Sequence, residues 1–269
     1  IMSSDWSSDV CSSDLLPGGG AVGLLRRSDD GGETFAAIPT DRLGWVYDGT
    51  VTSDSALLVG QAIPTGTSGI FHTVDTGRRW RPLTLPGQGY LLSSAFCSFR
   101  LGYLVGANKR IVSLRDFADP ENHPSPLASS ITLRSVTLAN KTTGWCVGQD
   151  GAVLASQPDK SAWTQKLLPI PSGTRRLMDF ETIDAHGKNL CIAGGLSGLL
   201  FVSQDGGTTF QAYPAPTHGP IHVVRFVPQK NGNPYLLAAG DAGRIWRSKD
   251  TGKTWKQMLS ENEWTGVTD

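Results

Sequence analysis

Ser248-Lys249-Asp250-Thr251-Gly252-Lys253-Thr254-Trp255 has the form Ser/Thr-x-Asp-x-Gly-x-x-aromatic. The form recurs at Ser28-Asp29-Asp30-Gly31-Gly32-Glu33-Thr34-Phe35. It recurs again from Thr73 to Trp80 (TVDTGRRW) and from Ser203 to Phe210 (SQDGGTTF). An Asp side chain accepts hydrogen bonds from nearby backbone N–H groups and pre-forms a turn. Glycine supplies a backbone conformation that other residues avoid. The aromatic starts the next strand and packs back. The motif is therefore a hairpin turn, and its four copies mark a repeat protein.

The spacing extends the pattern. Between Thr73 and Ser203 there is room for two further units, and Ser113 and Ser156 fill it, each after an apolar strand (RIVS, AVLAS). The six starts are then 45, 40, 43, 47 and 45 residues apart. The unit at Ser156 keeps its frame and Trp163 but has lost the Asp and Gly. The unit at Ser113 has lost the motif and runs into Asp119-Pro120-Glu121-Asn122-His123-Pro124. A second element precedes each start: a small or apolar strand ending in glycine. It reads LLVG to Gly60, YLVG to Gly106, WCVG to Gly148, CIAG to Gly194 and LAAG to Gly240. Glycines close behind, as in Gly148-Gln149-Asp150-Gly151, predict a tight hairpin. A further strand lies upstream, near Val51, Phe96, Leu138, Phe180 and Phe226.

Four short strands in about 45 residues, with no useful helical periodicity, predict an all-β chain of β-propeller blades. A WD-type repeat does not fit, because no Gly-His or Trp-Asp pair stands at the required positions. The turn resembles the Asp-box, or bacterial neuraminidase repeat. With the preceding Gly-Trp-x-Val-Gly strand, the chain looks most like the photosystem II assembly/stability factor family and its non-photosynthetic bacterial relatives, over Leu16 to Leu259. The resemblance implies a partner-binding propeller that is non-enzymatic and extracytoplasmic, with the Asp-box hairpins away from the functional face.

Ser4 to Leu15 (SDWSSDVCSSDL) can be written, in permitted codons, as a sequencing adapter, so residues 1–15 are expected to pack on nothing. The propeller is expected over residues 16–269, starting with a partial first blade (Ala21–Arg27 and Phe35–Ile38). Five complete blades follow, with a possible closing strand at 260–269. On this reading the genuine N-terminus is missing and no signal peptide is observable.

Roughly 250 residues suffice for one sizeable core. Basic and acidic residues number 24 each, which does not suit a general nucleic-acid binder. No long apolar run predicts a transmembrane helix. Cys97, Cys146 and Cys191 match no metal spacing, and Cys146 and Cys191 read as buried thiols. The five histidines are scattered. No cofactor motif is present.

The structural set comprises Ser28, Asp30, Gly32 and Phe35; Thr73, Asp75, Gly77 and Trp80; Ser203, Asp205, Gly207 and Phe210; and Ser248, Asp250, Gly252 and Trp255. Each of these carboxylates lacks a second carboxylate at ligand spacing, so none is read as a catalytic acid or calcium ligand. The alternative function is a carbohydrate-active enzyme of sialidase or glycosidase type. It needs paired carboxylates, and Asp179 with Glu181 share a strand face. Asp179 is expected to face Arg225 of the next blade. The inter-blade loops Pro82–Tyr90, Asp116–Ser130, Thr164–Thr174 and Ala212–Pro220 are expected opposite the Asp-boxes.

The candidate binding set is Arg134, Arg176 and His222, with Arg175 beside them. Each of the first three stands four residues before Leu138, Phe180 or Phe226, where a loop enters an innermost strand. Equivalent positions are expected to converge and to suit an acidic segment of a partner protein; carbohydrate is the other partner class.

Overall fold

The computed structural model describes residues 13–15, 21–38 (24 and 31 apart) and 43–259. The latter range excludes 52–54, 63–67, 86–88, 99–100, 118, 129, 139–142, 158–159, 171–178, 188, 195–198 and 231. The chain forms two compact units, residues 1–123 and 124–269. The proposed closing strand at 260–269 lies outside the described residues.

The first unit opens with β1 (Ser13–Leu15) paired to β2 (Ala21–Gly23), then β3 (Leu25–Arg27) paired to β4 (Ala36–Ile38). The β1–β2 ladder departs from the expectation that residues before Leu16 pair with nothing. Pro17 to Gly20 are turn-forming residue types, and an apolar residue stands on either side of them. The expected outer strand Ala21–Arg27 is accordingly two strands with different partners. Two four-stranded sheets follow in the same unit. One holds β5 (Leu43–Val51), β6 (Ala56–Ala62), β7 (Ser68–Thr73) and β8 (Arg81–Pro82). The other holds β9 (Leu91–Ser98), β10 (Leu101–Gly106), β11 (Ile111–Arg115) and β12 (Asp119–His123).

The second unit contributes three more. They are β13 (Leu133–Leu138) to β14 (Gly144–Gly148), β15 (Val153–Gln157) and β16 (Lys160–Gln165); β17 (Phe180–His186) to β18 (Asn189–Gly194), β19 (Leu199–Ser203) and β20 (Gln211–Pro214); and β21 (Ile221–Val227) to β22 (Tyr235–Gly240), β23 (Ile245–Ser248) and β24 (Lys256–Leu259). All five sheets are antiparallel meanders in chain order, the arrangement of propeller blades.

Strand β12 corrects the expectation of a continuous loop from Asp116 to Ser130. Pro120 pairs with Leu114 inside it. Proline cannot donate to a ladder, but an outer edge strand needs no donor on its free side. Pro82 in β8 and Pro214 in β20 occupy the same outer position.

The repeated turns form one hydrogen-bond pattern. Ser248 Oγ donates to Asp250 Oδ1 at 2.7 Å and accepts from the Gly252 N–H at 2.8 Å. Asp250 accepts from the Thr254 N–H at 2.9 Å and from its hydroxyl at 2.6 Å. Asp205 makes the same two bonds with Thr209, and Asp75 accepts from the Arg79 N–H. Thr251 and Gly252 are both left-handed, at φ 56° and 93°. The opening Ser or Thr is buried in all four turns, and so are Ser113 and Ser156, whose units lost the Asp. Their hydroxyls are used otherwise: Ser113 Oγ meets His123 Nε2 at 2.8 Å, and Ser156 Oγ accepts from the Gly144 N–H at 2.7 Å. The frame survives where the turn does not because the buried hydroxyl still has a partner.

The threonine hydroxyls lead the bonds that hold the Asp205 and Asp250 carboxyls at about 2, below the usual 3.8. A depressed folded-state value stabilises the fold above the unfolded pKa, and that contribution fades as pH falls from about 4 through 2. Thermal midpoints are therefore expected to drop over this acid window. An Asp205→Asn/Asp250→Asn variant, less stable at pH 7, should show a shallower drop. An identical pH profile for the two proteins would remove these carboxylates from the explanation.

Buried side chains fill the spaces between neighbouring sheets. Trp145, Val147, Val153, Phe180, Ile183 and Phe201 make one such layer. Leu200, Val202, Ile221, Val224 and Trp246 make the next. In the first unit, Leu57, Val59, Leu91, Leu104, Val112 and Phe117 do the same. The first strands of adjacent sheets are also tied by side-chain to backbone bonds. Asp48 accepts from the Ser94 N–H at 2.7 Å, Thr182 from Val224 at 3.3 Å, and Asp184 from Phe226 at 2.6 Å. Burial raises the Asp184 carboxyl despite that bond. Cys146 is a buried free thiol, pushed well up by burial; the side chains of Cys97 and Cys191 lie outside the described residues.

Candidate functional site: the innermost-strand bulges

Each complete sheet has a β-bulge where its first strand meets a glycine at the end of its second, or, for Gly60 in β6, two residues before that end. Val46 pairs with Gly60 and Asp48 with Val59, so Tyr47 is the extra residue. The same reading gives Leu92 opposite the Val105–Gly106 step. It gives Arg134 between Leu133 and Ser135, Glu181 between Phe180 and Thr182, and His222 between Ile221 and Val223. The residue before the bulge is fully buried in four of the five sheets: Leu91, Leu133, Phe180 and Ile221. The bulged residue itself is partly or fully exposed. A bulge takes one side chain out of the pairing and re-aims it.

This geometry explains the repeated terminal glycine. A Cβ on Gly60, Gly106, Gly148 or Gly240 would lie 1.9, 2.1, 2.2 or 2.5 Å from a carbonyl oxygen at the start of the first strand. Gly148 has φ −175°, an extended value open to any residue. Glycine is required there for space, not for a special dihedral. The sequence marks these glycines as hairpin starts, and the Gly148 N–H does bond to the Ala152 carbonyl at 3.1 Å.

In the first unit the bulged residues are Tyr47 and Leu92. Tyr47 is 43% exposed and stands 6.0 Å, centroid to centroid, from Tyr90. Burial, with Tyr90 second, raises its phenol above the ordinary value. In the second unit the bulges carry ionisable side chains, Arg134, Glu181 and His222. Arg134 bonds Glu181 at 2.8 Å and Asp179 at 3.4 Å. The Asp150 N–H also donates to Asp179, at 3.1 Å. His222 Nε2 lies 2.6 Å from Asp241 Oδ1.

Two sequence expectations change. Asp179 pairs with Arg134 of the preceding sheet, not with Arg225. The exposed Arg225 guanidinium donates to the Val224 carbonyl at 2.9 Å, and its charge acts on Asp184. The equivalence of Arg176 with Arg134 and His222 also fails. Phe180 pairs with the terminal glycine of its neighbour, as Leu133 and Ile221 do, whereas Leu138 pairs with Gly144 and Phe226 with Leu236. The position matching Arg134 and His222 is therefore Glu181. Arg175 and Arg176 lie outside the described residues. Arg134 and His222 do occupy equivalent positions, each with a carboxylate partner. Asp179 and Glu181 are held by one guanidinium. Among the described residues, no three His, Cys, Asp or Glu side chains gather as a metal set, and no helix is long and apolar enough to cross a membrane.

No family model matches the chain. It is 23% identical over 232 residues to the photosystem II assembly lipoprotein Ycf48 of Synechococcus sp. (strain CC9902), covering 85% of this chain and 66% of that protein, just under two thirds of the relative's length. Among solved structures, Ycf48 from Cyanidioschyzon merolae superposes with a TM-score of 0.64 at 18% identity, over 94% of this chain and 85% of that one. A structure described as Ycf48 bound to D1 peptide gives 0.61 at 16% identity, over 83% and 68%. The WD40 repeats of RRP9 give 0.60 at 13%, over 78% and 60%. The chain is thus an all-β protein with the blades of a β-propeller, and in sequence it is similar to Ycf48 over most of its length.

Proposed function

We propose that this chain is a non-enzymatic, partner-binding propeller of the assembly-factor kind, extending over residues 16–269, and that it takes a peptide segment of another protein. One observation carries the reading: similarity to a photosystem II assembly lipoprotein across 85% of the chain. A solved Ycf48 of the same fold is described with D1 peptide bound. That the relative is a lipoprotein supports an extracytoplasmic place. The four repeated turns are Asp-boxes on this reading and serve structure alone.

The bulge positions are the contact surface. Arg134, Glu181 and His222 offer the partner a strip of ionisable groups, and Arg175 and Arg176 precede β17 in the sequence. An acidic segment with a carboxylate for each of these last two guanidiniums is the complementary ligand. The test is fluorescence anisotropy with a labelled D1 peptide and a charge-neutralised control. Arg175→Ala/Arg176→Ala should weaken capture about 10-fold and flatten its salt dependence. Binding unchanged at every salt concentration would sink the assignment of these arginines. Turnover of a sialoside or glucan that is lost in Asp179→Asn or Glu181→Gln would replace the whole reading with an enzymatic one.

A further inference from the structure

The second unit holds a groove of about 350 Å³ between the β13–β16 sheet and the turn joining β19 to β20. This volume lies within the range of small-molecule sites. Its floor is apolar. Trp145 on β14 and Phe210 beside β20 meet edge to face at 5.9 Å, and Ala155 completes the base. Leu167 also lines it while 72% exposed, an apolar surface without cover. Lys166 stands on the rim. Its N–H bonds the Val153 carbonyl at 2.8 Å, one residue past the end of β16, so the ladder fixes where its side chain starts.

The polar inventory selects the ligand. Thr164 and Thr208 give their hydroxyl protons to the Ala155 and Asp205 carbonyls, at 3.2 and 3.1 Å. The Lys166 ammonium has no ion pair among the described residues. The Trp145 indole N–H is buried beneath the floor and closed to a ligand in the groove, which leaves Lys166 as the cation on offer. No acid or amide side chain lines the groove among the described residues. Planar groups of that type are suited to binding paired sugar hydroxyls, so the lining does not favour a carbohydrate.

We propose that this groove binds a small apolar group bearing a carboxylate, with the apolar body on Phe210 and Leu167 and the carboxylate on Lys166. The same chemistry comes from a free aryl or alkyl carboxylic acid, or from the C-terminal residue of a peptide. The site is separate from the bulge positions and does not rest on the D1-peptide reading. Isothermal titration of the full chain tests it, with phenylacetate, phenylacetamide, and a tetrapeptide ending in Phe with a free or an amidated C-terminus. Phenylacetate should bind, and phenylacetamide at least about 10-fold more weakly, the order expected for removing a charge-assisted bond. Lys166→Gln, a surface change, should abolish that preference, while Phe210→Leu, checked for an intact melting transition, should weaken phenylacetate several-fold. A free-terminus peptide that outcompetes phenylacetate identifies the peptide source; equal affinity identifies the free acid. The proposal is overturned if neither carboxylate binds at millimolar concentration, if Lys166→Gln leaves phenylacetate affinity unchanged, or if a neutral oligosaccharide binds in its place.

Discussion

Gly148→Ala is expected to destabilise the protein by about 3 kcal/mol, at the upper end of over-packing costs. The new Cβ would stand 2.2 Å from the Thr132 carbonyl oxygen and 2.8 Å from Leu133 Cα. Both atoms are backbone, so no flexible side chain can turn away. The extended φ of Gly148 removes any dihedral penalty, which makes the cost wholly steric. Leu133 is fully buried, so the first strand cannot retreat without opening its layer. For a chain of this size the change corresponds to a fall in melting temperature of roughly 6–12 °C. Gly187→Ala is the matched control. Gly187 has φ 59°, and a Cβ added there would meet nothing within 4 Å. This change should cost only about 1 kcal/mol, from the left-handed backbone. Equal losses in the two variants, by urea denaturation, would show that the close approach at the bulge is not rigid.

The second large effect sets two neighbours in one turn against each other. Gly206 and Gly207 are both left-handed, at φ 73° and 85°. A Cβ on Gly206 meets nothing within 4 Å, whereas one on Gly207 lies 2.1 Å from Cζ2 of the buried Trp145. Both substitutions carry the backbone cost of about 1 kcal/mol. Gly207→Ala adds displacement of a packed indole, a further cost of about 2 kcal/mol or more. Chemical denaturation of the two alanine variants should therefore separate them by about 2 kcal/mol. A difference near zero would mean that Trp145 has room to move.

What could be read from sequence divides along the line between local and non-local causes. The turn at Ser248–Trp255 is legible because the bonds that Ser248 and Asp250 make with their side chains join residues within four positions of each other. The terminal glycines are legible as a repeat, but their reason is not. The clashing carbonyl of Thr132 belongs to another strand, sixteen residues before Gly148. The misplacement of Arg176 has the same origin. Leu138 and Phe226 each stand five residues after the buried residue that starts their strand, Leu133 and Ile221, whereas Phe180 is itself that residue. Counting back from all three therefore compares different depths of the strand. Strand β12 is hidden by Pro120, a breaker everywhere except on an edge. The Arg134 contact with Asp179 and Glu181 joins residues 45 and 47 positions apart, beyond any local pattern.

The bulged residue has no partner across the ladder, so the ladder itself places almost no demand on what it is. Tyr47, Leu92, Arg134, Glu181 and His222 share neither size, charge nor polarity, while the residue before each is apolar and pairs with a glycine. The fold thus separates a constant text from one free letter per repeat. A substitution at one of those letters alters the surface of a single blade while every strand keeps its register.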